Sequence, residues 1–204
     1  LSLPSPQPCA DPMTGEGEGC YTNWLALSDL DRDGDLDIVL ANGGGYYEVG
    51  NAEASVVYFN DGTGAFRNVT PSSFAGASSR LRQVSIGDID GDGDFDLYQP
   101  GGYGVDPDKV WIQTSPGLFA DEGLMRLPPD MFSRAGSSHL ADLDGDGDLD
   151  LVTGDWGDAS TSGVSRLLLF LNDGSGVFSR VAVQAEPMFR TSSDRLPATL
   201  PADG

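Results

Sequence analysis

The sequence predicts an all-β protein in which three repeats each form a sheet of four antiparallel strands. One nine-residue acidic phrase occurs three times, and short apolar runs typical of strands flank every copy. The chain also holds 28 Gly and 13 Pro, which favour many turns and short strands over long helices. A period of roughly 50–60 residues indicates a repeat architecture.

The acidic phrase places an aspartate at every second position. It reads DLDRDGDLD at residues 29–37, DIDGDGDFD at 88–96 and DLDGDGDLD at 142–150. Carboxylates crowded in this way repel one another unless a positive charge lies between them. Hard cations with oxygen ligands meet that need, and calcium is the usual one. The sequence therefore predicts three Ca²⁺ ions per chain.

The spacing within each phrase predicts how the ion is held. Numbered from its first aspartate, each loop begins like an EF-hand, in which positions 1, 3 and 5 give side-chain oxygens and position 7 gives a carbonyl. The Glu of an EF-hand at position 12 is absent, and an aspartate at position 9 replaces it before an apolar run. We expect side-chain ligands at positions 1, 3, 5 and 9, a carbonyl ligand at position 7, and a sharp turn at the glycine of position 6. The aspartates of the three sites are Asp29, Asp31, Asp33, Asp35, Asp37, Asp88, Asp90, Asp92, Asp94, Asp96, Asp142, Asp144, Asp146, Asp148 and Asp150.

Each loop lies between the first two strands of its repeat. Repeat one (21–78) has predicted strands at 24–27, 36–41, 54–59 and 65–69. Repeat two (79–134) has them at 82–86, 95–98, 109–113 and 118–119, and repeat three (135–183) at 137–140, 149–153, 165–171 and 177–183. Four antiparallel strands per repeat make up the blade of a β-propeller.

The two ends of the chain differ from the repeats. Residues 1–20 form a Pro/Gly-rich arm with the only cysteines, Cys9 and Cys20, for which we predict a disulfide. Two thiols in a reducing compartment are the alternative. Residues 184–204 are a tail or the start of a further blade. The chain starts without methionine, so we expect a mature or trimmed segment. A disulfide and loops suited to external calcium predict an extracellular or cell-surface location.

The repeats resemble the FG-GAP/VCBS family. The resemblance rests on 141–154 (ADLDGDGDLDLVTG) with 169–178 (LFLNDGSGVF), and on 37–44 with 58–66 in repeat one. Repeat two departs from it at 113–117, where Gln-Thr-Ser-Pro-Gly replaces the Asn-Asp-Gly turn. The resemblance implies calcium-bearing blades like those of integrin α-subunits and many secreted bacterial proteins. It also implies a seven-bladed ring or a relative, used for adhesion or ligand binding.

The number of repeats leaves the closure of the ring open. Propellers close with four to eight blades, and the sequence shows three. The chain is then a piece of a longer propeller, or several chains complete one ring as a homo-oligomer, or the two ends build a fourth blade. An open arc would expose two apolar faces that need cover.

Charge and hydropathy argue against two classes of partner. The formal charge is −21, and three divalent ions would still leave about −15. Nucleic-acid binding needs a basic footprint, and an anionic membrane surface would repel this chain. No apolar run approaches the length that spans a bilayer, so we expect no membrane insertion.

The sequence predicts a protein that is not an enzyme. Its single histidine, His139, is expected to pack or to lie at a rim, and no nucleophile or phosphate-loop motif occurs. A glycosidase dyad among Asp106, Asp108, Asp155 and Asp158 stays open.

Candidate ligand-binding residues lie in long segments after the second strand of each repeat. They are the aromatic residues Tyr46, Tyr47, Tyr103 and Trp156, which suit a glycan or protein partner. The alternative is that these rings pack between blades, as we expect for Trp24 and Trp111. The resulting hypothesis is a calcium-dependent module for binding or adhesion. Its rivals are a lectin, an accessory or catalytic propeller of a polysaccharide-degrading enzyme, and a structural stalk.

Overall fold

The computed structural model describes residues 22–43, 52–70, 74, 79–102, 104, 106–129, 135–155 and 166–181. Within these ranges the chain forms three four-stranded antiparallel sheets, and in each sheet the strands lie side by side in chain order. The predicted all-β class and the grouping into three four-stranded units are therefore confirmed here. None of the helices in these ranges is long and apolar enough to cross a bilayer.

The twelve strands follow the three repeats. Sheet 1 holds β1 (Thr22–Ser28), β2 (Asp37–Asn42), β3 (Val56–Asn60) and β4 (Phe66–Asn68). Sheet 2 holds β5 (Ser85–Gly87), β6 (Asp96–Gln99), β7 (Lys109–Ser115) and β8 (Leu118–Asp121), followed by the short helix α1 (Gly123–Arg126). Sheet 3 holds β9 (Ala135–Ala141), β10 (Asp150–Asp155), β11 (Arg166–Asn172) and β12 (Phe178–Arg180).

The predicted strands all occur, with differences at their ends. The largest are in β5, which was expected from residue 82 and begins at Ser85, and in β12, which was expected to reach residue 183 and ends at Arg180. The partner of β5, β6, ends at Gln99, directly before Pro100, which has no N–H to donate to a neighbouring strand. Beyond the proline the pairing resumes only as an isolated bridge between Leu81 and Gly101, with hydrogen bonds from the Arg82 amide to the Pro100 carbonyl and from the Gly102 amide to the Arg80 carbonyl.

Sheet 2 is covered on both faces by its neighbours. Alternate residues of β6 and β7 point to opposite sides: Leu97 and Trp111 belong to a core shared with sheet 1, and Tyr98 and Val110 to a core shared with sheet 3. Trp111 is 1% exposed, and its ring lies 4.3 Å from that of Phe74. The expectation that Trp111 packs between sheets is therefore confirmed.

The same expectation for Trp24 is wrong, because its side chain is 48% exposed. Strand β1 lies at the edge of sheet 1 and pairs only with β2. No residue of β1 is fully buried. The indole of Trp24 therefore stays in contact with water.

Candidate metal centres

The three acidic loops lie where the sequence places them, between the first and second strands of each sheet. The glycine at position 6 has a left-handed backbone in every loop, with φ of 97° at Gly34, 91° at Gly93 and 101° at Gly147. This confirms the predicted turn, since glycine adopts positive φ at little cost. Position 4 is also left-handed, which the sequence analysis missed. Glycine occupies it in two loops, and Arg32 adopts φ of 61° in the first.

Backbone amides orient the carboxylates at positions 1, 3 and 5. The glycine amide of position 6 donates to the position-1 carboxylate at 3.0 Å from Gly34 to Asp29 and from Gly93 to Asp88, and at 3.2 Å from Gly147 to Asp142. Carboxylates at positions 3 and 5 accept bonds from the amide two residues on in several places. These turns draw carboxylate oxygens inward. The oxygens that lie within 4.8 Å of one another belong to Asp29, Asp31 and Asp33, to Asp88, Asp90 and Asp96, and to Asp142, Asp144 and Asp146.

Three of these inward oxygens are buried without a hydrogen-bond donor among the described residues. They are Oδ1 of Asp29, Oδ1 of Asp88 and Oδ1 of Asp90. A buried carboxylate oxygen without a partner is costly, and neighbouring negative charges add to that cost. An oxygen-only donor set of this kind fits Ca²⁺. The residues of loops 1 and 2 therefore fit a hard cation, and loop 3 offers the same donor set with its three clustered aspartates exposed.

Crowding and burial also shift the titration of these acids. Burial, and then the charges of Asp37 and Asp33, raises the pKa of Asp31. Burial and the charge of Asp92 raise the pKa of Asp90, while the nearby Arg126 guanidinium acts in the opposite direction. A bound divalent cation would oppose these shifts, because it stabilises the ionised form.

The aspartate at position 9 joins the loop to the third strand in every repeat. Its Oδ2 accepts the amide of loop position 2 at 2.8 Å, and its Oδ1 accepts an amide from the end of the third strand at 2.8–2.9 Å. The three residues, all fully buried, are Asp37, Asp96 and Asp150. Burial raises the pKa of Asp96 to about 6, although the amides of Gln113 and Ile89 oppose that shift.

This bridging role was missed by the sequence analysis, which assigned position 9 to the metal alone. Each carboxylate oxygen has a second lone pair, so a backbone bond leaves room for a cation. Asp96 shows both features, since it also belongs to the oxygen cluster of loop 2. Metal coordination at position 9 stays a prediction.

The side chains at position 7 lie beside the loops. A Cβ on Gly174 would meet Asp148 Oδ2 at 2.6 Å, and a Cβ on Gly62 would meet Asp35 Oδ2. In loop 2 the Asp94 carboxylate lies 3.1 Å from the Arg32 guanidinium of loop 1. None of these three aspartates is in the oxygen clusters, and the carbonyl ligand expected at position 7 stays a prediction.

Repeat two lacks the Asn-Asp-Gly turn at 113–117, but it makes the same hydrogen bonds as the turn of repeat three. In repeat three Asn172 accepts the Gly176 amide at 2.9 Å and donates to the Leu149 carbonyl at 3.1 Å. In repeat two Gln113 accepts the Gly117 amide at 2.9 Å and donates to the Phe95 carbonyl at 3.3 Å. The longer glutamine thus replaces asparagine in the same network.

Several other candidates have structural contacts. Asp106 pairs with Arg80 at 3.0 Å, and Asp108 accepts bonds from the Tyr98 hydroxyl at 2.6 Å and the Gly101 amide at 2.8 Å. His139 is exposed on β9. The contacts of Asp106 and Asp108 thus lie within the second repeat.

Some predicted residues lie outside the described ranges. They are the cysteines Cys9 and Cys20, the aromatic residues Tyr46, Tyr47, Tyr103 and Trp156, and Asp158. The disulfide and the ligand-binding loops stay predictions.

Comparison with known proteins gives one family. A model of the FG-GAP-like repeat matches residues 29–98. The matched segment starts at the first aspartate of loop 1 and ends in β6, so it holds the first two acidic loops. This match confirms the resemblance to FG-GAP-like repeats for residues 29–98. No curated protein matches the chain.

Proposed function

We propose that the chain is a calcium-dependent β-propeller module in which the ions are structural and the blades serve binding or adhesion. The observation that carries this proposal is the set of inward carboxylate oxygens, two of them at position 1 in successive loops and all three without a donor among the described residues. Each loop connects the first two strands of a sheet, and its position-9 aspartate reaches the third. An ion held there would fix three strands relative to one another.

The stacking of the sheets supports the propeller arrangement. Sheet 2 packs face to face against sheet 1 on one side and sheet 3 on the other, through two separate apolar cores. Successive four-stranded meanders stacked in this way are how propeller blades bury their faces. The FG-GAP-like repeat across 29–98 supports the same arrangement.

The proposed setting is outside the cell, where millimolar calcium fills loops of moderate affinity. The proposed partner is a protein or a glycan, and the proposal includes no catalytic step. The chain's charge of −21 opposes nucleic acid. Of the acids considered for glycoside hydrolysis, Asp106 and Asp108 are engaged with their own repeat, and Asp155 is buried.

Isothermal titration calorimetry, in which calcium is added to chelator-treated protein, tests whether the loops bind metal. We expect three Ca²⁺ per chain and weaker binding of Mg²⁺, which demands a stricter octahedral shell than these loops offer. Asp142→Asn with Asp144→Asn should leave two sites. The control Asp121→Asn changes an acid outside the loops, beside Lys109, and should leave three. No heat of binding in the wild type would contradict the proposal.

A further inference from the structure

The two junctions between sheets follow one pattern. We call the side of a sheet that faces the next repeat its trailing face, and the opposite side its leading face. The trailing face of sheet 1, with Val39 and Val57, packs on the leading face of sheet 2, with Leu97 and Trp111. The trailing face of sheet 2 packs on the leading face of sheet 3 in the same way, and every residue of both cores is at most 7% exposed.

A side-chain amide crosses each junction. Gln113 at the end of β7 donates to the Leu30 carbonyl in loop 1 at 3.1 Å. Asn172 at the end of β11 donates to the Ile89 carbonyl in loop 2 at 2.8 Å. Both acceptors are the backbone carbonyl at position 2 of the preceding loop. The amide therefore fixes how far one sheet is shifted along its strands relative to the next.

Within the described ranges, this amide-to-carbonyl hydrogen bond is missing at the first sheet and at the last. Asn60, the counterpart of Gln113, donates to its own loop at the Leu36 carbonyl, 3.3 Å away, and to no preceding loop. The Leu143 carbonyl, the counterpart of Leu30 and Ile89, receives no amide from a described residue. Within the described ranges, Asn60 of sheet 1 thus has no position-2 carbonyl of a preceding loop as its acceptor, and the Leu143 carbonyl of loop 3 has no side-chain amide as its donor.

The outer faces are apolar like the faces inside the array. On the leading face of sheet 1, Leu25 is 57% exposed and Leu27 54%, whereas Val84, the counterpart of Leu25 in sheet 2, is 2% exposed. On the trailing face of sheet 3, Val152, Leu169 and Leu171 are each partly exposed. Their counterparts in sheet 1, which include Val39 and Val57, are buried. Exposed apolar surface of this kind marks an interaction site.

We propose that the leading face of sheet 1 docks on the trailing face of sheet 3 of a second copy of this chain, repeating the internal junction. A second copy carries both complementary faces, and Asn60 of one chain would donate to the Leu143 carbonyl of the other. This inference rests on the blade arrangement proposed above. Two copies together hold six sheets in the described ranges, a number within the four to eight blades with which propellers close. The proposed assembly is a closed dimer.

The charges at this junction make the dimer depend on metal. Between sheets 1 and 2, Arg32 at position 4 of one loop pairs with Asp94 at position 7 of the next. At the proposed junction position 4 is Gly145, and position 7 is Asp35 of the second copy. Without an arginine between them, the acids of the two loops repel one another unless cations are bound.

Light scattering on the full chain, with millimolar calcium and then with chelator, tests the proposal. In calcium we expect twice the chain mass of 21.4 kDa. In chelator we expect the mass of a single chain. Leu25→Glu should give single chains in calcium. The matched control Leu118→Glu lies in sheet 2 at the same exposure of 57% and should stay dimeric. A single-chain mass for the wild type in calcium, or a ladder of larger masses, overturns the closed dimer.

Calcium stoichiometry separates this inference from the proposed function. If Leu25→Glu is a folded single chain that still binds calcium like the wild type, its dissociation reflects the lost face. Mixing Leu25→Glu with Val152→Glu should restore dimers, because one of the two junctions in the mixed pair is unaltered. Failure to restore them, with both variants folded, overturns the docking. A wild type that binds no calcium would contradict the proposed function itself.

Discussion

The buried aspartate at position 9 joins its loop to the third strand in every repeat. In loop 2, Asp96 accepts the amides of Ile89 and Gln113, each at 2.8 Å, and is 0% exposed. Asparagine keeps one of these acceptors and turns an NH₂ group toward the other donor. We expect Asp96→Asn to lower the free energy of unfolding by about 2–3 kcal/mol, measured by urea denaturation in chelator.

The control for this prediction is Asp92→Asn in the same loop. Asp92 is exposed, and its Oδ1, which accepts the Asp94 amide at 2.8 Å, has a counterpart in asparagine. In chelator this variant should lose no stability, because it also removes one of several repelling charges. Equal losses in the two variants would show that position 9 has no special role in the metal-free fold.

The metal-free protein should become more stable as the pH falls from 7 to 5. Burial raises the pKa of Asp96 from 3.8 to about 6 and also raises that of Asp37. The folded state then binds protons more tightly than the unfolded state, so this stabilisation is complete below 3.8 and is lost as the pH rises through about 6. Calorimetry in chelator should show a higher Tm at pH 5. Calcium should reverse the trend, because it binds the ionised carboxylates.

Two exposed aspartates contribute in the opposite direction, in a lower pH range. Hydrogen bonds from the Thr63 and Ser175 side chains lower the pKa of Asp61 and of Asp173. Their stabilisation is lost only as the pH falls below 3.8 toward the lowered values. A Tm in chelator that falls steadily from pH 7 to pH 5 would contradict the role given to Asp96 and Asp37.

Residue spacing was enough to place the acidic loops, but it did not predict the hydrogen bonds by which position 9 joins each loop to the third strand. Alternating aspartates around a glycine form a local pattern, and the structure brings oxygens of positions 1, 3 and 5 together in loops 1 and 3. The hydrogen bond from the Gln113 amide to Asp96 instead depends on the register in which β6 pairs with β7, where Leu97 lies opposite Trp111. A pairing between distant residues leaves no signal in local spacing.

At the scale of the element, the hairpin turn after the third strand supports the acidic loop. Gly174 has φ of 82°, and a Cβ there would meet Asp148 Oδ2 at 2.6 Å. Gly145 has φ of 86° and nothing within 4 Å of such a Cβ. Alanine at either site costs about 1–2 kcal/mol of backbone strain, but only Gly174→Ala also displaces the aspartate.

We therefore expect Gly174→Ala to be less stable than Gly145→Ala, and to bind calcium more weakly in loop 3. Urea denaturation compares the stabilities, and calcium titration compares the affinities. If the two variants are equally stable and bind calcium alike, the contact between turn and loop has no energetic importance.

Strand existence was predictable because each strand has its own apolar alternation and its own turn residues. Strand ends were less predictable, as β5 shows, since its regular pairing with β6 ends at Ser85 and resumes only as the isolated bridge between Leu81 and Gly101. The turn of repeat two shows a second limit. Gln113 replaces asparagine through hydrogen bonds to Gly117 and Phe95, which a comparison of residue types alone does not predict.

At the scale of the whole molecule, the two arginines that pair with loop 2 connect it to the neighbouring repeats. Arg32 pairs with Asp94 at 3.1 Å, and Arg126 pairs with Asp90 at 3.2 Å and also donates to the Ser175 carbonyl. Loop 2 thus has two positive partners, while no ion pair of loop 3 lies within the described ranges. We expect loop 3 to bind calcium more tightly than loop 2, since nearby positive charge opposes a cation.

Terbium luminescence titrations of single-loop variants measure this order. Arg126→Gln should tighten binding at loop 2, and the control Arg67→Gln, an exposed residue of β4, should leave it unchanged. Weaker binding in Arg126→Gln would mean that the arginine mainly orients Asp90.

Thermal unfolding with and without calcium tests most directly the proposal that bound calcium holds the sheets together. Each loop gathers five aspartates between the first two strands of its sheet, and folding brings their charges together. We predict a single cooperative transition in millimolar calcium, and a Tm lower by on the order of 10 °C or more in chelator. The same Tm in both conditions would contradict the claim.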